Sequence, residues 1–276
     1  MTNKLTRLKE ILTELDSVVV AYSGGVDSTL LLKVAHDCLG ERAVAVTALS
    51  ASLPAQERAE AAALVCQIGA RHVTIESQET ADPRYLANGP DRCYFCRVDV
   101  FGRLTEYARR EGYRYVVDGN NADDIGDHRP GRQAAREYGV RSPLLEAGLT
   151  KADIRELAQT LGLPNWDKPA AACLSSRVPY GSPITLTMLS QIEQAELLLK
   201  KMGLRQVRVR HHGQVARLEV EPLDFERLLA HRLELVEQLT ALGYTYVTLD
   251  LAGFRSGSLN EALTRNGRPQ TTRSLD

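Results

Sequence analysis

The sequence has no apolar run of the ~18 residues that a membrane-crossing helix requires, which excludes a membrane span. It also lacks an excess of either charge: 34 Lys and Arg stand against 35 Asp and Glu, a formal net charge of −1. That balance excludes a generally basic nucleic-acid binder but leaves room for a local basic patch. An even set of cysteines is missing too. Five cysteines offer no disulfide framework, and a reducing cytoplasm is the expected compartment. Residues 1–8 carry no apolar segment behind their basic residues, so no secretory signal is expected there. No internal repeat or low-complexity tract is present.

What is there is ordinary globular composition, 43% hydrophobic and 25% charged over 276 residues. A chain of this length buries a full core without staples and suits two modest domains better than one. Leu5, Leu8, Ile11, Leu12 and Leu15 recur at helical spacing over 4–15. Residues 17–22 form a near-continuous apolar run, as expected of a strand buried on both faces of a parallel sheet. After a glycine turn the pattern predicts helix 29–39, strand 43–47, helix 54–68 opened by Pro54, and strand 72–75. A loop through Pro83 and Pro90 leads to helix 97–111 and strand 113–118. Strand alternating with helix defines an α/β class, a doubly wound parallel sheet, with ligands at the carboxyl ends of its strands.

Residues 140–183 are loop-rich around one helix at 151–161 and contain the single tryptophan, Trp166. Past Pro183 the pattern restarts with helix 185–202, strands 205–210 and 214–220, helix 222–241 and strand 244–249. The expected domains are therefore 1–180 and a smaller α+β unit at 181–262, with a disordered tail at 263–276.

Ser23-Gly24-Gly25-Val26-Asp27-Ser28 lies where the first buried strand hands over to a helix. Two glycines allow the backbone N–H groups to approach an anion, Ser23 and Ser28 add hydroxyls, and the helix adds the positive end of its dipole. The run fits neither a Walker A motif nor the dinucleotide fingerprint. It resembles the pyrophosphate loop of the ATP pyrophosphatase (PP-loop) superfamily, whose members cleave ATP between the α and β phosphates and adenylate an oxygen of the substrate. The resemblance implies that Ser23, Gly24, Gly25 and Ser28 bind pyrophosphate and that Asp27 helps to hold Mg²⁺. Asp118-Gly119-Asn120-Asn121-Ala122-Asp123-Asp124 ends another strand, and its polar groups suit nucleotide and Mg²⁺ contacts. Gly119 and Asn120 are the nucleotide candidates and Asp123 the second Mg²⁺ candidate.

Cys93-Tyr94-Phe95-Cys96 and Cys173 fall in loop contexts, whereas Cys38 and Cys66 sit in apolar helical patterns and read as buried packing residues. Several readings of the loop cysteines stay open: a redox pair, a zinc site completed by His128 or His72, a [4Fe–4S] cluster on three thiolates, and three unrelated cysteines. Arg208 and Arg210 alternate along a predicted strand and share a face, where a phosphate dianion would separate their charges. Ser176 and Arg177 flank Cys173. Glu196 and Glu219 are explained as surface charges, with metal or substrate contact as the alternative, and His211-His212 reads as a turn.

The glycine loop, the run at 118–124 and Cys173-Leu174-Ser175-Ser176-Arg177-Val178-Pro179-Tyr180-Gly181 together resemble the LarE family over nearly the whole chain, to about residue 260. These are ATP-dependent sulfur transferases of nickel-pincer nucleotide cofactor biosynthesis. The resemblance implies that carboxylates of pyridinium-3,5-biscarboxylic acid mononucleotide are adenylated and converted to thiocarboxylates. It further implies ATP, Mg²⁺, and a [4Fe–4S] cluster on Cys93, Cys96 and Cys173 with a transferable sulfide, where single-cysteine members instead sacrifice the sulfur of the cysteine in this loop. Ser176, Arg177, Arg208 and Arg210 become substrate contacts, and a homo-oligomer is expected. A tRNA thiolase of the superfamily is the alternative, although the net charge argues against a nucleic-acid partner. An amidotransferase leaves the three cysteines without a purpose, and a non-enzymatic nucleotide sensor would release no pyrophosphate.

Overall fold

The computed structural model describes residues 2–126, 131–169, 172–255 and 257–260. The chain divides into two compact units, Met1–Ala172 and Cys173–Asp276. The stretch from Cys173 to Tyr180 goes with the second unit, because its backbone is tied there: Arg210 Nη1 donates to Ser176 O at 2.6 Å.

In the first unit, β1 (Val18–Ala21), β2 (Ala43–Leu49), β3 (Arg71–Glu76) and β4 (Tyr115–Val117) form a wholly parallel sheet in the order β3-β2-β1-β4. Its helices are α1 (Thr2–Leu15), α2 (Val26–Leu39), α3 (Ala55–Ile68), α4 (Pro83–Leu86), α5 (Arg92–Glu111), α6 (Gly131–Glu137), α7 (Pro143–Glu146) and α8 (Lys151–Thr160). Successive strand residues face opposite sides. Val18, Val20, Ala43 and Ala45 enter a core shared with α1, α2 and α8, and Val19, Val44 and Val46 enter another with Phe101 and Leu104 of α5. Burial on both faces is why β1 reads as an unbroken valine run. The chain winds outward from β1 to β2 and β3, then returns to β1's other side as β4. The topological switch therefore lies between β1 and β4, where ligands bind in open α/β sheets.

Three local expectations change. Helix α2 begins at Val26, inside the glycine loop, with Gly25 at its N-cap, so Asp27 and Ser28 occupy its first turn. Helix α5 begins at Arg92 instead of 97, since nothing after Pro90 breaks it, and it carries Cys93 and Cys96 on helix and not in a loop. Cys66 is exposed: α3 turns Ala61, Leu64 and Val65 to the core and leaves the thiol on the outer face, whereas Cys38 is half-buried.

The second unit contains α9 (Leu186–Lys201), β5 (Val207–His212), β6 (Val215–Val220), α10 (Phe225–Ala230), α11 (Arg232–Ala241) and β7 (Tyr246–Leu249). β5 pairs antiparallel with β6, and β6 pairs parallel with β7. Leu199, Val209, Leu218, Leu239 and Tyr244 form its core. The single helix expected over 222–241 is interrupted at His231, whose Nδ1 donates back to Arg227 O at 2.9 Å. His211 and His212 finish β5 and do not form the turn. The reversal falls at Gly213, where φ is +62°, a value that favours glycine. Among the described residues no helix is long and apolar enough to cross a membrane. The predicted tail at 263–276 and His128 lie outside the described residues.

Candidate active site

The turn after β1 is closely packed and self-bonded. Gly24 has φ +74°, and a Cβ there would lie 2.7 Å from the Ala61 Cβ of α3, so neither its conformation nor its space admits a side chain. Ser28 Oγ donates to Gly25 O at 3.1 Å and lies 3.2 Å from Ser23 Oγ, which closes the loop on itself. No side chain caps the N-terminus of α2, although Asp27 places a carboxylate in its first turn, so the first-turn N–H groups are left without a capping acceptor.

The loop after β4 lies against this turn. A Cβ on Gly119 would sit 3.1 Å from Ser28 N and 3.2 Å from Asp27 Cβ, so glycine is what allows the two loops to meet. Asn121 Nδ2 donates to Asp27 Oδ1 at 3.3 Å. Asn120 turns inward, donating through Nδ2 to Asp118 Oδ2 at 2.6 Å, while Ser142 Oγ donates to Asp118 Oδ1 at 2.7 Å. Burial raises the Asp118 carboxyl above its ordinary value, and the Ser142 hydroxyl and the Asn120 backbone N–H offset part of that rise. Lys151, which sequence reasoning missed, joins the group: its Nζ is ion-paired with Asp27, and its backbone N–H donates to Asp123 Oδ2 at 2.8 Å. Both candidate Mg²⁺ acids thus converge on one lysine. Its contact with Asp27 spans 124 positions and leaves no local signal in the sequence.

The second unit gathers Cys173, Ser176, Arg177, Arg208 and Arg210. A 3-10 turn, Leu174–Arg177, follows the exposed Cys173, and Ser176 Oγ donates to Cys173 O at 2.7 Å. Arg177 Nη1 donates to the same carbonyl at 3.2 Å. Glu196 and Glu219 are not surface charges. They are 5% and 0% exposed, and each grips an arginine in a fork: Arg177 to Glu196 at 2.7 and 3.0 Å, Arg210 to Glu219 at 3.0 and 2.9 Å. Glu196 also accepts from Val209 N at 3.0 Å. Arg210 is therefore committed to Glu219 and to the carbonyl of Ser176. Arg208 differs. It lies over the Phe254 ring at 4.5 Å and donates to Arg255 O at 3.2 Å, but has no ion pair among the described residues. Burial first, then the neighbouring Arg177 and Arg210, push it down to about 10.

Cys93 is exposed and Cys96 half-buried in the opening turns of α5, in the first unit, and Cys173 belongs to the second. None of the three is in a disulfide. His72, a candidate fourth zinc ligand, is instead a β3 residue at 2.9 Å from Thr47 Oγ1 and edge-on to Tyr22. Among the described residues no three His, Cys, Asp or Glu side chains are grouped as metal ligands.

Fold and site together define an α/β protein with a glycine turn at the switch point of a parallel sheet, followed by a unit with a buried arginine lattice. No family model matches the chain. It is 40% identical over 266 residues, 96% of each chain, to pyridinium-3,5-bisthiocarboxylic acid mononucleotide synthase of Lactiplantibacillus plantarum. It is also 47% identical over 96% of its length to the whole of an uncharacterized Synechocystis protein, and 28% identical over 92% to one of Methanocaldococcus jannaschii that it covers to 98%. The chain belongs to the LarE family, that of the L. plantarum synthase.

Proposed function

We propose that this chain is an ATP-dependent sulfur transferase that converts carboxylates of pyridinium-3,5-biscarboxylic acid mononucleotide to thiocarboxylates in nickel-pincer cofactor biosynthesis, in the cytoplasm. The observation that carries the reading is the 40% identity to the synthase along 96% of both chains. In the first half-reaction a substrate carboxylate oxygen attacks the α-phosphorus of ATP and pyrophosphate leaves. In the second, a sulfur nucleophile attacks the acyl carbon and AMP leaves with the original oxygen. The first unit is read as a PP-loop domain that serves the first half-reaction, and the smaller α+β unit as the part that serves substrate binding and assembly of a homo-oligomer.

Ser23, Gly24, Gly25 and Ser28 hold the pyrophosphate, and Gly119 and Asn120 border the nucleotide. Asp27 and Asp123 offer the oxygen ligands that Mg²⁺ prefers, and the Lys151 ammonium paired with Asp27 fits a position where one cation gives way to another. Arg208, lacking an ion pair among the described residues, is the substrate-phosphate contact, with Ser176 and Arg177 beside it. Arg210 acts by holding Ser176. Cys93, Cys96 and Cys173, none of them in a disulfide, are the ligands that the family resemblance implies for a [4Fe–4S] cluster, which would supply a sulfide nucleophile.

The test is ATP turnover with the biscarboxylic mononucleotide. Wild type should form AMP and pyrophosphate together with a product heavier by the exchange of oxygen for sulfur, and Asp27→Ala should lose pyrophosphate release. Unchanged release in the variant would remove the phosphate-loop assignment, and absence of turnover in wild type would remove the function.

A further inference from the structure

Asn165 is 7% exposed in the segment after α8, and none of the roles above uses it. Its Nδ2 donates to Gly24 O at 3.2 Å and to Thr29 Oγ1 at 3.0 Å. A carbonyl oxygen only accepts, so the nitrogen end of the amide must face Gly24. The other end, Oδ1, is buried with no hydrogen-bond partner among the described residues. An unpaired buried acceptor is a cost that an apolar side chain of similar size would avoid, so the use of this residue lies in its donor end. Thr29 reinforces it from beneath: fully buried, it donates from Oγ1 to Gly25 O at 2.9 Å.

The Gly24–Gly25 peptide is trans, as are all those described, so its carbonyl and its N–H point in opposite directions. A donor that holds the Gly24 carbonyl inward thereby turns the Gly25 N–H toward the mouth of the loop. Rotation of this peptide would otherwise be cheap. It changes Gly24 ψ and Gly25 φ, now −74°, and neither residue has a Cβ to oppose the flipped state. The Gly25 N–H makes a long contact of 3.5 Å to Ser23 Oγ, one that a phosphate oxygen would readily replace.

We infer that Asn165 is a positioning residue of the pyrophosphate subsite, holding the Gly24–Gly25 peptide so that the Gly25 N–H is presented to the outer phosphates of ATP. The inference rests on reading 23–28 as the phosphate loop.

Calorimetric titration of the full chain with pyrophosphate, ATP and AMP, each with Mg²⁺, tests it. Asn165→Ala should raise Kd for pyrophosphate and ATP about tenfold, roughly 1.4 kcal/mol, and leave AMP binding unchanged, because AMP lacks the phosphates concerned. A loss shared by AMP, or none with pyrophosphate, overturns the inference. If wild type binds neither ATP nor pyrophosphate, the phosphate-loop reading itself fails and takes this one with it. Asn165→Asp, equal in size but with acceptors facing the Gly24 carbonyl, should weaken pyrophosphate binding more than Ala does, and it carries the test if the smaller residue impairs folding. In the wild-type chain labelled with nitrogen-15 glycine, the Gly25 amide resonance should move on addition of pyrophosphate. An unmoved resonance also overturns the inference.

Discussion

Arg208 is a guanidinium that folding keeps at a loss. It is pushed down to about 10 from 12.5, so the folded chain holds its proton less tightly than the unfolded chain does. A depressed cation destabilises the fold at every pH below its folded value, and the penalty fades as pH rises through about 10 toward the unfolded value, at ~1.4 kcal/mol per unit. The Phe254 ring and the Arg255 carbonyl return part of this, each on the order of 1 kcal/mol. A bound phosphate would offset the rest by supplying the missing anion. Arg208→Met, which keeps the aliphatic stem, should therefore raise Tm by about 2–4 °C while raising KM for the mononucleotide at least about tenfold and leaving KM for ATP unchanged. Thermal denaturation and steady-state kinetics read the two effects separately. A lower Tm would mean that the ring and carbonyl contacts outweigh desolvation, and equal effects on both KM values would deny Arg208 its phosphate.

At the scale of an element, α8 delivers Lys151 to Asp27, and the geometry at its start is set by one carboxylate. Asp153 accepts from Thr150 N at 2.8 Å, from Thr150 Oγ1 and from Lys4 Nζ at 2.7 Å, while Thr150 Oγ1 accepts from Asp153 N at 3.2 Å, which completes a capping box. The Lys4 ammonium first, then the Thr150 donors, hold the Asp153 carboxyl far below its usual range. A carboxyl whose folded pKa is depressed adds stability that is fully present above its unfolded value near 4 and is lost as pH falls through the folded value. Asp153→Asn should therefore cost about 1 kcal/mol at pH 7 and less at pH 2–3, so that the two chains' urea midpoints converge in acid. A gap that stays constant with pH would show that the cap, and not the charge, holds this helix start. The capping box is local and legible in Thr150-Lys151-Ala152-Asp153. The ion pair with Lys4 joins residues 149 apart and is not.

Across the whole molecule the same rule separates what could be read from what could not. β1 and the glycine loop were legible because burial on both faces and close backbone approach leave marks in consecutive residues. Pairings were not: the 0%-exposed Glu219 looks like any strand-surface acid until the register sets it opposite Arg208 and next to Arg210. Cys66 misled because its neighbours are apolar while its helical phase faces out. Cys93, Cys96 and Cys173 pose the question at this scale, since the first two belong to one unit and Cys173 to the other. If all three hold one cluster, removing any of them should release it, although each substitution alters only one unit. Anaerobically purified wild type should then carry about four irons with matching sulfide and a broad absorption near about 400 nm, and Cys93→Ala and Cys173→Ala should each lose both signals while still binding pyrophosphate. Loss in Cys93→Ala alone would leave Cys173 outside the ligand set. Stoichiometric zinc in colourless protein would make the cysteines structural ligands. Neither metal, with Cys173 lighter by the elements of H₂S after turnover, would make that exposed thiol the sulfur donor itself, spent in a single cycle.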